Sequence, residues 1–416
     1  MTEQRRLKDY EDLAPDGGTY GCSAIKSVVA APERAMKEID ASGLLGRSGS
    51  WFPAGRKWAL VRNAISDEKY VVCNADEGEP GTCKDQLLMR SKPYLLIEGI
   101  LIACVLVGAR QGIIYLRGEY AEAEEKMREA MANAARQHIL GGDLFGSGIT
   151  VDLELCTGAG SYLCGEETAL LESLEGRRGE TRMKPPYPGI SGLFGKPTLI
   201  SNVETFCNIP LILRTGSEAY RSAGTPESPG TKLVTVTGCV RKPGVYEIPL
   251  GMKIREILEL AGGCLPGKQI RAIQTGGGSG PIVSDAALDI SFDSQGCRAF
   301  GAFLGAGDLM FIPEDADLLE LAIRITAFFS RESCGRCVPC RIGLSRMLKL
   351  MEAFSAGEGT DAMREEMKGL ISHLRRTARC ALGTAAVMPA ASLLENFPEV
   401  FSSELSGEEE GKAWKK

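Results

Sequence analysis

Histidine is scarce in this sequence of 416 residues, which contains only His138 and His373. This scarcity argues against a histidine-based catalytic triad and against a zinc site with several histidine ligands. The most apolar run, residues 95–109, contains Glu98 and is shorter than the roughly 20 residues of a membrane span, so we expect a buried helix there. Residues 1–20 are polar and charged, without the apolar core of a signal peptide.

Basic charge is not concentrated anywhere along the chain. The net charge is −6 and no run of lysine and arginine occurs, which argues against nucleic acid as a partner. Glycine is abundant instead, with 50 residues in clusters, and such clusters are typical of loops that bring the backbone close to a ligand. The 14 cysteines, in the absence of a signal peptide, favour reduced thiols and a cytoplasmic location.

The pattern of apolar residues changes twice along the chain. The first half alternates short strand-like runs with helical ones, which indicates an α/β fold with a largely parallel sheet. A linker at residues 224–230 precedes short strands and one helix, and nearly everything after Asp317 is helical. We therefore divide the chain into an α/β domain (1–225), a small β-rich domain (226–315) and a helical domain (316–416). Residues 402–416 are predicted to be a disordered tail.

Cysteine recurs at every third position in the motif SCGRCVPC, which contains Cys334, Cys337 and Cys340, and Cys380 follows in ARCALGTAA. Three thiolates on a tight loop and a distant fourth one are the ligand pattern of a [4Fe–4S] cluster. A structural zinc ion, which prefers paired Cys-x-x-Cys units, and a set of buried structural thiols are the alternatives. The other cysteines are scattered singly, and we expect them to be small core residues.

Three segments of the first half concentrate glycine, acidic and amide residues: 46–58, 74–85 and 158–168. The third segment has the glycine spacing of a P-loop, but Glu166 and Glu167 stand where a P-loop has Lys and Ser or Thr. Two carboxylates would repel a triphosphate, so phosphoryl transfer is disfavoured. The segments suit a redox cofactor with polar ring edges and ribose hydroxyls, and ordinary surface turns are the alternative for any one of them.

Six motifs occur together, in the order GRSGSWFPAGRKW, VCNADEGEPGTCKD, GAGSYLCGEETALLESLEGRRG, KPPYP, GKPTLISNVET and ESCGRCVPCRIG. In this order they resemble the flavin- and NADH-binding subunit of respiratory complex I, a family shared with NAD-linked hydrogenases and formate dehydrogenases. The resemblance implies a Rossmann-like FMN-binding α/β domain, a ubiquitin-like β-grasp domain of the soluble-ligand-binding type and a helical bundle with an iron–sulfur cluster. It also implies FMN, a [4Fe–4S] cluster and NAD(H) as cofactors.

The resemblance assigns residues to these cofactors. For FMN it implies Gly46, Arg47, Gly49, Lys57, Asn74, Asp76, Glu77, Tyr162, Gly165, Glu166, Asn202 and Thr205. For NADH it implies Phe52 and Tyr187 on either side of the adenine, and Lys184, Glu79 and Glu167 along the dinucleotide. Of these, Glu79 is the candidate for electrostatic tuning of the flavin. Glu167 is placed to disfavour the 2′-phosphate of NADPH by like-charge repulsion.

Several positions depart from the commoner pattern of the family. Ser48, Ser50 and Trp51 stand where small residues are usual, Leu60 replaces an aromatic residue of the adenine site, and Ser201 replaces an asparagine beside the flavin. We expect Trp51 to point away from the flavin, into packing or a partner interface.

The function that the resemblance implies is hydride transfer between NADH and FMN, followed by one-electron transfer to the [4Fe–4S] cluster and to a partner. The expected partner is a thioredoxin-like [2Fe–2S] subunit, with further iron–sulfur or catalytic subunits of a complex I-like or soluble NAD-linked complex. Attachment to a membrane is expected only through that complex. The alternative is a non-catalytic relay or scaffold subunit that keeps the cluster and has lost the NADH site.

Overall fold

The computed structural model describes residues 22–402, and its first sheet consists of four parallel strands. Residues 1–21 and all of the predicted tail except its first residue, Ser402, lie outside the described residues. The strands are β1 (Tyr70–Ala75), β2 (Gln111–Leu116), β3 (Asp152–Thr157) and β4 (Thr198–Asn202). Their order is β3-β2-β1-β4, so the chain moves outward from β1 to β3 and then returns to the other side of β1. This reversal makes a topological switch point between β1 and β4, where open α/β sheets bind their ligands.

The helices of this first region cover the sheet. They are α1 (Ser23–Ala30), α2 (Pro32–Ala41), α3 (Ala54–Asn63), α4 (Lys84–Ser91), α5 (Pro93–Val107), α6 (Ala121–Arg136), α7 (Glu167–Leu174), α8 (Val203–Thr215) and α9 (Ser217–Arg221). Helix α5 is apolar on all sides, is buried along almost its whole length and packs against α8, as a core helix does. The prediction of a buried helix near residues 95–109 is therefore confirmed.

A second, mixed sheet of five strands follows. It is built from β5 (Thr231–Gly238), β6 (Gly244–Pro249), β7 (Ile270–Thr275), β8 (Ile282–Ser284) and β9 (Asp308–Pro313), with helices α10 (Ile254–Leu260) and α11 (Ser294–Phe300). The order is β6-β5-β9-β7-β8, and β5 and β9 are parallel. Its apolar faces form a core of their own around Phe292 and Phe311. The predicted small β-rich fold with a helix is confirmed.

The third region is helical. Its helices are α12 (Leu318–Glu332), α13 (Val338–Ser355), α14 (Asp361–Thr377), α15 (Ala381–Ala385) and α16 (Met388–Asn396). The expectation that three cysteines share a tight loop is wrong in one respect, because Cys340 lies in the first turn of α13. The cause is Pro339, whose fixed φ favours the first turn of a helix. Within the described residues no helix combines the length and the apolar character needed to cross a membrane.

A buried group of charges joins the second sheet to the first region. Glu204, in the first turn of α8, accepts from Lys232 Nζ at 2.5 Å and from the backbone N–H of Leu233 at 2.8 Å. Lys84 Nζ lies 3.2 Å from the same carboxylate. All three charged side chains are almost completely buried. Burial opposes the charge of Glu204, but Lys232 and Lys84 outweigh burial and lower its pKa.

We expect Lys232→Met to reduce the free energy of unfolding by about 3 kcal/mol, because it leaves a buried carboxylate without its closest cation. Urea denaturation measures the change. Arg255→Met is the matched control in the same sheet region, since it breaks an exposed ion pair with Asp289 and should change the free energy by less than about 1 kcal/mol. Equal effects of the two substitutions would contradict the importance of the buried pair.

Candidate functional site

A cavity of about 380 Å³ opens where β1 and β4 end. Asn74, near the end of β1, and Asn202, at the end of β4, both line it. These ends flank the switch point of the first sheet. The second sheet region contributes Gly276 and Gly305 to the wall, and α15 contributes Leu382. All three regions of the chain therefore meet around one cavity.

The cavity brings together part of the residue set that the sequence predicts for FMN and NADH. Its lining includes Gly49, Asn74, Asp76, Glu77, Glu79, Tyr162, Gly165, Glu166 and Asn202. Outside the lining lie Gly46, Arg47, Phe52, Lys57, Glu167, Lys184, Tyr187 and Thr205. Within this second group, Arg47 and Thr205 are joined by a hydrogen bond, and Lys57, Glu167 and Lys184 form ion pairs that reach Glu166.

Arg47 lies outside the cavity lining, and its contact with the flavin stays a prediction. Its buried guanidinium donates to the Tyr220 hydroxyl (2.7 Å) and to the Pro229 carbonyl (2.8 Å), and its backbone N–H donates to Thr205 Oγ1 (2.9 Å). The first two acceptors satisfy Nη2, and Nη1 donates to the Leu45 carbonyl at 3.3 Å, whereas the buried Nε has no hydrogen-bond partner within residues 22–402. Arg47 and Thr205 therefore fix the glycine loop (residues 46–52) to α8 and to the start of the second region.

Two charged residues that sequence reasoning missed, Lys84 and Asp85, line the cavity at the start of α4. Lys84 Nζ lies 2.7 Å from Asp85 Oδ1, and Asn202 Nδ2 donates to Asp85 Oδ2 at 2.6 Å. Burial opposes the charge of Lys84, but Asp85 and Glu204 outweigh it and raise its pKa. The cavity therefore presents a lysine that stays protonated. Both residues stand in the motif VCNADEGEPGTCKD, which was the signal that could have identified them.

Asp76 fits a cofactor that donates a hydrogen bond into the cavity. Its Oδ2 is buried and has no hydrogen-bond partner within residues 22–402, and burial raises the pKa of its carboxyl to about 7. Gly165 packs closely on the Asp76 carbonyl, since a Cβ on Gly165 would lie 3.1 Å from that oxygen. An isoalloxazine ring has an N–H edge that could donate to Asp76, so the donor and acceptor pattern of this wall fits FMN.

Glu79 is held at the junction of the three regions. Its carboxylate accepts from Tyr162 Oη at 2.7 Å and from the backbone N–H of Ser279 at 2.6 Å. The Tyr162 ring in turn packs edge-on against Phe329 of α12. Burial raises the pKa of Glu79, against the effect of its hydrogen bonds. The carboxylate is therefore fixed in position, and the Ser279 contact, from the second sheet region, had no signal in the sequence.

A chain of ion pairs extends from the cavity along α7. Lys184 Nζ lies 2.8 Å from Glu166 Oε1 and 2.7 Å from Glu167 Oε1, and Lys57 Nζ lies 3.4 Å from Glu167 Oε2. Glu166 also caps α7, accepting from the N–H groups of the first turn. Burial opposes ionisation of Glu167, but Lys57 and Lys184 outweigh it and lower its pKa. Glu167 therefore carries a negative charge next to two cations.

The two predicted adenine neighbours are exposed. Phe52 is 45% exposed and Tyr187 is 58% exposed. Phe52 lines a separate open cleft together with Leu60, which is 64% exposed, and Ile190. The structure thus leaves apolar surface free on the outer side of α3, adjacent to Lys57.

The four predicted cluster cysteines pack against one hydrophobic core. Cys337 precedes α13 and Cys380 precedes α15, so both stand at helix N-termini, where the backbone favours negative charge. Gly335, with a φ of +76°, turns the loop between Cys334 and Cys337. Within residues 22–402 no group of three or more cysteine, histidine or acidic side chains is arranged to hold a single metal ion. Four thiols against one core, two of them at helix N-termini, fit the ligands of an anionic [4Fe–4S] cluster.

One of the predicted cluster cysteines, Cys380, lies next to the cavity. Cys380 is followed directly by Ala381 and Leu382, which line the cavity wall. Burial and the charge of Glu166 both raise the pKa of the Cys380 thiol, and Tyr162 lies close enough to interact with it. One short helix therefore forms both the cavity wall and the anchor of a cluster ligand.

Comparison with known proteins agrees with this arrangement. Residues 39–211 match the family model of the Nuo51 FMN-binding domain, residues 233–283 match the SLBB domain, and residues 320–404 match the NADH-ubiquinone oxidoreductase-F iron–sulfur binding region. The chain is 41% identical to the second NADH-quinone oxidoreductase F-type chain of Rhizobium meliloti, over 93% of this chain and 94% of that protein. The chain belongs to the family of NADH-quinone oxidoreductase F-type chains.

Members of this family occur in other complexes. The chain is 37% identical to the HndC chain of the NADP-reducing hydrogenase of Solidesulfovibrio fructosivorans, covering 95% of this chain and 79% of that protein. Its fold matches a crystal structure of NAD⁺-reducing [NiFe]-hydrogenase in the H₂-reduced state with a TM-score of 0.87 and 32% identity, over 97% of this chain and 67% of the other. The predicted family, fold class and cofactors, FMN and a [4Fe–4S] cluster, are thereby confirmed.

Asp76 makes the stability of the flavin-free protein depend on pH. Its pKa of about 7 in the folded state exceeds that of an unfolded aspartate, about 4, so its stabilising contribution is present below pH 4 and is lost as the pH rises to 7. We expect Asp76→Asn to flatten the decline of the free energy of unfolding across this window in urea denaturation. Part of the slope should remain, because burial also raises the pKa of Glu77 to about 7. An exposed control, Asp285→Asn, should keep the wild-type slope; the same slope in both variants would contradict the assignment.

Proposed function

We propose that this chain oxidises NADH, or reduces NAD⁺ in the reverse direction, and exchanges the electrons with a partner protein through FMN and its own [4Fe–4S] cluster. The observation that carries the proposal is the shared position of α15. Its residues line the cavity that fits FMN, and the residue before it is a predicted cluster ligand, Cys380. A flavin and a cluster in these two places would be close neighbours.

The cofactors would supply the redox chemistry, since FMN accepts a hydride and releases electrons singly to the cluster. The role of the protein is to bind and orient the cofactors and the nucleotide and to exclude water. Asp76 and Asn202 offer an acceptor and an amide at the ends of the strands, and Lys84 offers a fixed positive charge. Glu79, fixed by Tyr162 and Ser279, is the buried carboxylate that would tune the electrostatics of the flavin.

We propose that the nucleotide lies between the cavity and the exposed rings of Phe52 and Tyr187, beside the Lys57–Glu167–Lys184 chain. Glu167 would then face the ribose of the adenosine half. A 2′-phosphate would meet a carboxylate that is held ionised by two lysines. This arrangement supports a preference for NADH over NADPH.

We propose that the electron acceptor is an iron–sulfur subunit of a larger complex, with a thioredoxin-like [2Fe–2S] subunit as the neighbour. Val338 and Ile342, on the first turns of α13 beside the cluster cysteines, are 60% and 58% exposed. An apolar patch at this position would suit a docking partner. The 14 cysteines, all within residues 22–402, form no disulfide bond, which supports a reducing, cytoplasmic location, with any contact to a membrane made through the partner subunits.

The change of hydrophobic core along the chain supports the proposed division into domains at 1–225, 226–315 and 316–416. The largest core draws its residues from the range 22–220 and adds Leu233, and a smaller core lies within residues 70–200. A separate core draws its residues from the range 234–311. A third core runs from Ile312 to Phe401 and adds residues of the other two regions.

Dye reduction by the purified chain, carrying FMN and the cluster, tests the proposed function. NADH should bleach the flavin and reduce ferricyanide, and NADPH should do so much less efficiently. We expect Glu167→Gln to raise kcat/KM for NADPH by about ten-fold, because it removes a charge that opposes the 2′-phosphate.

Glu218→Gln, an exposed change of the same charge on α9, is the control and should leave the preference unchanged. A chain that holds flavin without being bleached by NADH would contradict the enzyme and favour the relay or scaffold role.

A further inference from the structure

Trp51 has a strained backbone in a functional loop. Its φ is +52°, in the left-handed region where a bulky residue is a rare exception. It belongs to the glycine loop, residues 46–52, which is closed by the hydrogen bond from Gly46 N–H to the Phe52 carbonyl at 2.9 Å. Strain of this kind persists only where the surroundings hold it, and it concentrates at sites of function.

The indole of Trp51 reaches out of the first region to the second sheet region. Its Nε1 donates to the Gly305 carbonyl at 3.0 Å, and its ring packs against the apolar core of the second sheet. The Arg47 guanidinium lies 5.3 Å from the ring centroid. The expectation that Trp51 points away from the flavin into packing agrees with this position. The strained backbone of Trp51 thus brings its indole N–H to the carbonyl of Gly305.

Gly305 belongs to a loop that forms a wall of the flavin cavity. Phe303, Gly305 and Ala306 all line the cavity. The loop is tied to the end of β7 by hydrogen bonds from Phe303 N–H to Thr275 Oγ1 (3.0 Å) and from Ala306 N–H to the Gly276 carbonyl (3.3 Å). The wall consists largely of backbone, and Trp51 fastens it to the first region.

Gly49 makes the same wall sensitive to small displacements. It lies in the same loop as Trp51, has a φ of +126° and packs directly on the backbone of Gly305. Gly305 in turn packs on the backbone of Gly276. Three glycine backbones therefore meet at the cavity edge, without side chains that could compensate for a shift of the loop.

We propose that Trp51 is a positioning residue that holds the wall of residues 303–306 against the flavin–nucleotide cavity and thereby sets the affinity for the nucleotide. This inference rests on the proposed function. Trp51 acts through Gly305, so its loss should loosen the wall and weaken the binding of substrate and transition state alike. The expected signature is a higher KM with an almost unchanged kcat.

The test uses the full chain carrying FMN and the cluster. Trp51→Phe keeps an aromatic ring and removes the N–H donor. Hydrogen exchange of peptides covering residues 301–308 should become about five-fold faster, as expected for the loss of one hydrogen bond. In the same preparation the KM for NADH should rise by a similar factor, with kcat within about two-fold of wild type.

Trp58→Phe is the matched control. Trp58 is fully buried in the first region, and its Nε1 has no hydrogen-bond partner within residues 22–402, so the substitution removes an indole without removing such a bond. It should leave both the exchange of residues 301–308 and the KM unchanged. Equal changes in the two variants would show a general loosening and would overturn the proposal.

Trp51→Gly is the second variant, because glycine adopts a positive φ without strain. It should fold and should show the same faster exchange and higher KM as Trp51→Phe. Unchanged exchange and KM in both Trp51 variants, with an active wild type, would overturn the role of Trp51. A wild type without NADH-dependent dye reduction would contradict the proposed function instead, and the exchange data would still decide whether Trp51 holds the wall.

Discussion

The carboxylate of Glu204 has no access to solvent, and two lysines from different parts of the chain hold it. Lys84 comes from α4, at the cavity, and Lys232 comes from β5, the first strand of the second sheet. A buried carboxylate is tolerated only when it is paired, so the two regions must meet in this register. The Leu233 N–H, which also donates to Glu204, places the strand itself on α8.

This constraint brings the loops of the second sheet to the cavity. Once β5 is fixed on α8, the loops after β7 and before β9 face the glycine loop and the Glu77–Thr82 segment. Ser279 can then orient Glu79, and Gly305 can meet Trp51. The third region completes the cavity through α15, which places the predicted cluster ligand Cys380 beside the site that fits a flavin. Binding and electron transfer thus depend on how the three regions of the chain are joined.

Local pattern and motif predicted much of this structure. Alternating apolar runs indicated the parallel α/β sheet and the all-apolar run indicated α5, while nine of the cavity residues were assigned through the resemblance of the motifs to a known family. Local pattern failed where a residue is decided by a distant partner. The Arg47 guanidinium is held by Tyr220 and Pro229, and Lys84 and Lys232 are buried because they pair with Glu204. Cys340 was placed on a loop because the cysteine spacing outweighed the helix-starting tendency of Pro339.

The central claim is that NADH, flavin and cluster are connected within this one chain. The most direct measurement is anaerobic addition of NADH to the FMN- and cluster-containing chain, with flavin absorbance and the electron paramagnetic resonance signal of the reduced cluster followed in the same sample. The account predicts that the flavin bleaches and that the cluster signal appears without any added mediator. Bleaching of the flavin while the cluster stays oxidised, in a sample where dithionite does reduce that cluster, would contradict it.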